Sequence, residues 1–380
     1  MQGVTLVANT RRALVVGGSV GGMASAISLQ RAGFQVDLAE IDPAWMIYGA
    51  GLTITAPTLR ALQVLGVLDE VTQQGATWEL ISVFTRDGER IQELRTPRIS
   101  PELPAHGGIM RPVLHRILSS ATRKAGVDVR LGTTLETMTQ VPRGVEVKLT
   151  DGHRACYEIV VGADGIYSKL RERIFPDAPK PTFTGQVIYR VVAERPQGFD
   201  RGEFYRSEDA QLGFNPVSAT HLYMYLLERQ PANPWMPLEE QPRRLYQSLE
   251  GWGGIVPRVR AVVMTSSAPT VNYRPLEAML LPRPWFQGRV VLIGDAAHAA
   301  TPHLASGVGM AIEDALVLAD ELKNGEIDVA LPRFMDRRFD RSRMAVENSV
   351  RIGEIEMKHG SPDEQGRLLA ESMQALRQPM

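Results

Sequence analysis

The stretch from Ala13 to Glu40, ALVVGGSVGGMASAISLQRAGFQVDLAE, constrains the fold of this chain more than any other. The apolar run Leu14-Val15-Val16 predicts a buried parallel strand. Gly17, Gly18, Gly21 and Gly22 predict a tight turn, Met23 to Arg31 a helix closed by Gly33, and Phe34 to Ala39 a second strand. That strand ends on Glu40, 23 positions after Gly17. In such a unit, backbone N–H groups and a helix N-terminus meet a pyrophosphate while the acid accepts ribose hydroxyls. Ser19 stands at the middle glycine position of Gly17-x-Ser19-x-x-Gly22; it is small, and its hydroxyl can donate to phosphate. A glycine-rich turn without a ligand is the plainer reading. A strand, a helix and an acid at the required spacing favour a dinucleotide site.

The 380 residues allow one large domain or two closely joined ones, and a formal net charge of −1 argues against a broadly basic nucleic-acid or membrane surface. Cys156 is the single cysteine, which rules out an intrachain disulfide and argues against a cysteine-built zinc or iron–sulfur site. No run of about 18 apolar residues is present to span a membrane. The opening MQGVTLVANTRR lacks a basic-then-apolar signal pattern, so a cytoplasmic enzyme is expected.

Beyond Glu40, residues 41–51 read as loop, Leu52 to Thr55 as a strand and Pro57 as the start of a helix. Trp78 to Leu94 reads as a hairpin turning at Asp87-Gly88. A helix is expected from Ile109, with Pro112 near its start. Val127 to Leu131, Val145 to Leu149 and Tyr157 to Val161 read as strands. Two further strands end in acids, Ile159 to Val161 before Gly162-Ala163-Asp164-Gly165 and Val290 to Ile293 before Gly294-Asp295. A glycine loop after Pro302 leads into a long helix stopping at Asn324-Gly325. An acid at one strand end is usually a turn cap; three strand-end signals point to a polar ligand in one crevice. Phe183 to Glu228, rich in β-branched and aromatic residues, predicts a separate sheet. The tail after Arg333 reads as a solvated outer helix.

With these residues in place, the chain from about Arg12 to Arg343 resembles the single-component FAD-dependent aromatic hydroxylases, the p-hydroxybenzoate hydroxylase family. Three motifs carry the likeness in order: GGSVGG with Glu40; Asp164-Gly165-x-x-Ser168-x-x-Arg171, matching DGxxSxxR; and Gly294-Asp295-Ala296-Ala297-His298 with Pro302 and Glu313-Asp314, matching GDAAHxxxP…ED. The loop Ala305-Ser306-Gly307-Val308-Gly309 departs from the family's GQGxN form but keeps Gly307. The resemblance implies an α/β (mixed α+β) fold, a Rossmann-like FAD-binding domain interleaved with a mostly antiparallel substrate sheet, followed by C-terminal helices. Residues 1–75, 106–180 and 275–325 would bind FAD, 76–105 and 181–274 would form the substrate domain, and 326–380 a helical tail.

It also implies roles. Gly17, Ser19, Val20, Gly21 and Gly22 would receive the pyrophosphate of FAD and Glu40 its ribose. Arg111 would reach the pyrophosphate or ribityl chain, Asp164 polar groups near the pyrophosphate, and Asp295 a ribityl hydroxyl. Pro302, Gly307, Val308 and Gly309 would pass beside the isoalloxazine, where a helix N-terminus favours the anionic edge of reduced flavin. The chemistry would be the cofactor's: NADPH or NADH reduces FAD, dioxygen adds at C4a, and the hydroperoxide hydroxylates an electron-rich aromatic or nitrogen-heteroaromatic ring. Thr53, Arg190, Phe214 and Tyr225 are substrate-side candidates, though packing or a surface position is the commoner role for such residues. No general base stands out. A flavin dehydrogenase or reductase on the same scaffold is the main alternative, and a silent flavin-binding protein another. A flavin halogenase is disfavoured, because Gly254 takes the place of the second Trp in WxWxIP.

Overall fold

In the computed structural model, residues 11–46, 49–208, 210–232, 235–265, 270–323, 325–358 and 360–380 are described. The expectations for residues 1–10 of the opening stretch and for a helix stop at Asn324 lie outside them.

The apolar run after Arg11 forms β1 (Arg12–Val16), buried in the middle of a six-stranded sheet. Its neighbours are β12 (Ile159–Gly162) and β2 (Gln35–Glu40), both parallel to it. Beyond them lie β19 (Val290–Leu292), β18 (Phe286–Gln287) and, on the other side, β8 (Asp128–Leu131). Chain order reverses at β1, so a crevice opens at the carboxyl ends of β1 and β12, where ligands bind in sheets of this kind. Helix α1 (Val20–Arg31) covers β1 and packs against α9 (Gly307–Lys323) and α4 (Arg111–Lys124).

A seven-stranded sheet forms the second layer: β17 (Asn272–Leu280), β13 (Thr182–Glu194), β16 (His221–Arg229), β15 (Ala210–Pro216), β14 (Gly202–Arg206), β5 (Leu80–Thr85) and β6 (Arg90–Arg95). Its pairs are antiparallel except β14 with β5. One face buries Val187, Tyr189, Leu212, Phe214 and Met224 together with Leu245 and Val259. The last two come from α6 (Gln241–Ser248) and α7 (Val256–Val263). The opposite face looks toward the nucleotide layer. A three-stranded sheet of β3 (Gly51–Thr55), β7 (His106–Met110) and β4 (Ala76–Trp78) stands between, and β9 (Leu135–Val141), β10 (Gly144–Leu149) and β11 (Arg154–Tyr157) form an outlying one. The other helices are α2 (Ala56–Val64), α3 (Leu68–Gln74), α5 (Lys169–Ile174), α8 (Asp295–His298), α10 (Ile327–Met357) and α11 (Pro362–Arg377).

Three expectations change. Ile109 lies in strand β7, and the helix starts at Arg111, since Pro112 fits its first turn. Tyr157 to Val161 is two strands, because Tyr157 pairs with β10 while Ile159 joins β1. The tail is not merely a solvated helix: Arg338, Ser342 and Ser349 of α10 are fully buried, held against α9 by acids described below.

Candidate functional site

The glycine turn is shaped by close approach. Gly17 has φ +103°, and a Cβ there would lie 2.5 Å from the Ala163 carbonyl oxygen. At Gly22 a Cβ would come within 1.9 Å of the Gly17 oxygen. Ser19 caps α1: its Oγ accepts from the Gly22 N–H (3.3 Å) and donates to the Ala163 carbonyl (3.0 Å). Its proton is therefore committed to β12's end, and the expectation that it donates to phosphate gives way to a structural staple. The Val20 and Gly21 amides, in the first turn, have no intrahelical acceptor and remain as donors.

Glu40 ends β2 beside this turn. One carboxylate oxygen accepts from the Gly18 N–H (2.5 Å), the other from the Asp42 N–H (2.8 Å). A carboxylate has about four lone-pair sites, so each oxygen keeps capacity for a further hydroxyl. Trp45 donates from Nε1 to the Gly18 carbonyl at 2.9 Å, closing the turn from the other side. A cleft of 450 Å³ lies here, lined by Gly17, Glu40, Trp45, Asp164 and Arg173 among others.

Asp164 follows β12. Its oxygens accept from the Ser168 hydroxyl (2.5 Å) and the Leu170 N–H (3.1 Å), so much of its work is to shape the loop into α5. Arg171 is buried and donates to the Ala296 carbonyl (3.0 Å) and the Ile166 carbonyl (2.7 Å). That contact bolts the second motif to the third.

In the third motif, Asp295 opens α8, just past the end of β19. Its side chain meets solvent there, yet the surrounding protein desolvates it enough to push its carboxyl up, against the pull of His298 and Arg111. Arg111, at the start of α4, is lowered by burial and by the second cation Arg190, while Tyr223 and Asp295 oppose the shift. Its Nε is buried without a hydrogen-bond partner. Arg190, Tyr223 and Asp295, from β13, β16 and α8, thus lie near enough to Arg111 for its charge to feel theirs.

Behind α8, His298 Nε2 and Asp314 Oδ2 are 2.5 Å apart, and Asp314 also accepts from the Gly294 N–H (2.9 Å) and Arg338 Nε (2.8 Å). Burial alone would raise this carboxyl, but His298 and Arg338 hold it down to about 2. Glu313 takes Arg338 and Arg341, each at 2.8 Å. The Glu-Asp pair of the third motif is thus a structural anchor for α10. Arg338 was missed in the sequence, where it is one of many charges on that helix.

Helix α9 begins after Ala305, which has φ +46°. The Met310 N–H bonds the Ser306 carbonyl (2.8 Å), leaving the Gly307, Val308 and Gly309 amides as first-turn donors. Gly309 passes so close to α2 that a Cβ would lie 2.2 Å from Thr58 Oγ1. Pro302 starts the short 3-10 turn before it.

On the substrate side, Thr53 of β3 accepts from the buried Asn215 amide at 3.0 Å. Tyr225 and Arg190 are register partners on β16 and β13 and share the face toward the nucleotide layer. Phe214 does not: it lies in the core on the far face, edge-on to Tyr205 at 5.8 Å, because strand alternation sends it there while its neighbour Gly213 pairs with Tyr225. Tyr223 replaces it as a candidate, its ring 5.8 Å from that of Tyr225. The spacing of two between these tyrosines was a signal already present in the sequence.

A family model described as an FAD binding domain matches residues 10–348. The chain is 31% identical over 338 residues to the putative FAD-dependent monooxygenase YetM of Bacillus subtilis, covering 88% of this chain and 90% of that protein. It is 31% identical over 318 residues to 6-hydroxynicotinate 3-monooxygenase of Bordetella bronchiseptica, 81% of each. Among solved structures, HpxO of Klebsiella pneumoniae complexed with FAD and uric acid aligns with a TM-score of 0.82 at 23% identity, over 97% of this chain and 93% of that one. At that identity the likeness speaks for the fold. The residues present fit an FAD: free amides at the starts of α1 and α9, an orphaned Arg111 donor, and carboxylates at Glu40 and Asp295 where hydroxyls need acceptors.

Proposed function

The chain belongs to the family defined by this FAD binding domain and is an FAD-dependent monooxygenase; on that premise we propose that it hydroxylates a small aromatic or nitrogen-heteroaromatic ring, with NADH or NADPH and dioxygen as co-substrates. Bound FAD supplies the reductive activation of dioxygen that inserts one oxygen atom into the ring. The observation that carries the reading is the buried, unpartnered Nε of Arg111, next in the chain to Met110, which packs with Tyr223 and Tyr225 on the sheet face that bears Arg190. It brings a donor suited to a flavin's phosphate or ribityl chain beside an aromatic, cationic sheet face.

In this reading the Val20 and Gly21 amides hold phosphate, Glu40 the adenosine ribose, Arg111 the pyrophosphate or ribityl chain and Asp295 a ribityl hydroxyl. The Gly307, Val308 and Gly309 amides stabilise negative charge on the ring edge, beside Pro302. Tyr223 and Tyr225 flank the substrate, and Arg190 pairs with a carboxylate or phenolate. The two layers keep water from the reacting ring. We assign residues 1–75, 106–180 and 275–325 to the flavin domain, 76–105 and 181–274 to the substrate domain and 326–380 to the helical tail. Among the described residues no helix is long and apolar enough to cross a membrane, and we place the enzyme in the cytoplasm with no nucleic-acid partner. The 6-hydroxynicotinate 3-monooxygenase relative supports a hydroxylated pyridine as a first compound to try. Incubation of such rings with NAD(P)H under oxygen-18 gas tests the proposal: one labelled atom in the product is expected. Anaerobic oxidation with no oxygen gained would make the chain a dehydrogenase instead.

A further inference from the structure

On the nucleotide-facing side of the large sheet, a second cavity of 480 Å³ runs between β13, β15 and β16 and the last turn of α10. Its wall includes Gln186, Gln211, Leu227, Glu356 and Gln365, with the exposed Arg206 and Arg229 at its mouth. Glu356 is a carboxylate whose side chain keeps 7% of its exposure. Gln186 Nε2 donates to one of its oxygens at 3.1 Å and Gln365 Nε2 to the other at 2.8 Å. The oxygen that meets Gln365 therefore retains a lone pair for a ligand donor. Arg206 and Arg229, with the exposed Glu208 beside them, put charge of both signs at the mouth, so the site suits a ring with a donor on one edge and an acceptor on another.

The same carboxylate reaches the loop beside Pro302. His303 Nε2 lies 3.3 Å from Glu356 Oε2, with the imidazole almost fully buried, and its Nδ1 meets Thr301 Oγ1 at 2.9 Å. Gly353 makes this fit possible, since a Cβ there would lie 2.7 Å from Gln186 Oε1 and 2.9 Å from His303 Cε1. Tyr225 stands near enough to feel the charges of both Glu356 and Arg206, which joins the cavity to the tyrosine-bearing sheet face.

We propose that this cavity receives the donor-bearing edge of the substrate, with Glu356 accepting a ring N–H or O–H and His303 tying that contact to the Pro302 loop. The ligand class is a ring lactam or hydroxylated nitrogen heterocycle. This inference rests on the hydroxylase reading, and it identifies the edge by which the ring is held. Glu356 is the substrate contact and His303 a positioning residue acting through it.

The test is binding rather than turnover. FAD-loaded protein is titrated calorimetrically with 6-hydroxynicotinate and 4-quinolone, each beside its N-methyl derivative, which keeps the ring and removes the donor. The wild type should bind each N–H compound about tenfold or more tighter than its N-methyl partner, the scale of one charge-assisted hydrogen bond. Glu356→Gln should shrink that ratio to about twofold or less at unchanged FAD content, and Glu356→Asp should restore part of it. His303→Asn, which loosens Glu356 without removing its charge, should shrink the ratio part of the way, by weakening the N–H compound more than its N-methyl partner. A ratio unchanged in Glu356→Gln, or no binding of any of the four compounds to the wild type, overturns the inference. Neither result touches the oxygen-18 experiment, which decides the hydroxylase reading separately.

Discussion

Arg338 Nε lies 2.8 Å from Asp314 Oδ1, and neither side chain has any exposure to solvent. The guanidinium simultaneously grips Glu313 at 2.8 Å, so one buried cation from the C-terminal helix bridges two adjacent acids on the helix whose start faces the candidate flavin, with Arg341 on the first and His298 on the second. Removing one partner of a buried pair leaves an uncompensated charge, typically costing about 3–5 kcal/mol. Arg338→Met should lower the free energy of urea unfolding by that order. A loss under about 1 kcal/mol would mean that the acids find other partners.

Asp314 also sets an acid limit. Its carboxyl is held at about 2 against an ordinary 3.8, so the stability it contributes is fully present above the ordinary value and lost as pH falls through the folded one. The amount is on the order of 2 kcal/mol. Urea midpoints measured from pH 6 to pH 2.5 should fall below about pH 4 in the wild type. They should fall less steeply in Asp314→Asn, which starts from lower stability.

Flavin retention separates Glu40 and Asp295 from their neighbours. Losing a charge-assisted hydrogen bond costs about 1.5–3 kcal/mol, or roughly tenfold to more than a hundredfold in affinity. Glu40→Ala and Asp295→Ala should each purify with depleted FAD and near-native circular dichroism. Full occupancy and unchanged turnover would remove these residues from the site.

Ser19→Ala should behave differently. The hydroxyl caps α1 and staples it to Ala163, so its loss should cost about 1 kcal/mol in thermal or urea unfolding. FAD affinity should change less than threefold, because the Val20 and Gly21 amides remain. A tenfold loss of affinity would restore the serine as a direct phosphate ligand.

Phe214 and Tyr225 make a matched pair of tests. Phe214→Ala hollows the core shared with Tyr205 and should destabilise by about 3–5 kcal/mol. Its folded fraction should keep the wild-type KM for the aromatic substrate. Tyr225→Phe should leave the unfolding free energy within about 1 kcal/mol and shift KM.

The nucleotide layer was legible in the sequence because its signals are local: β1, its turn, α1 and β2 are contiguous, and Glu40 is read by counting. Asp164 and Asp295 announced themselves as strand ends. The sheet side was less legible because its meaning lies in register. Phe214 and Tyr225 look alike in a list of aromatics, and pairing Gly213 with Tyr225 is what sends one inward and the other toward the cleft. Strand β7 was hidden by Pro112, whose helix signal spread backward over Ile109. Arg338 and Glu356 were unreadable for another reason: a charge on a long helix looks solvated until the acid or cavity opposite it is known.

The six-stranded sheet seats β1 directly between β2 and β12, and β12 beside β19, although about 120 residues separate β2 from β12 and about 130 separate β12 from β19. During synthesis, then, the first strand leaves the ribosome soon before β2 but long before its other partner, β12, exists. The glycine turn cannot close until Ala163 arrives to receive Ser19, and the start of α8 at Asp295 is not braced until Arg338 follows. Completion of the cofactor pocket is thereby a late event in the life of each nascent chain. A premature stop just before Arg338 would release a polypeptide with all three motifs written and the acids of the third left without their buried cation.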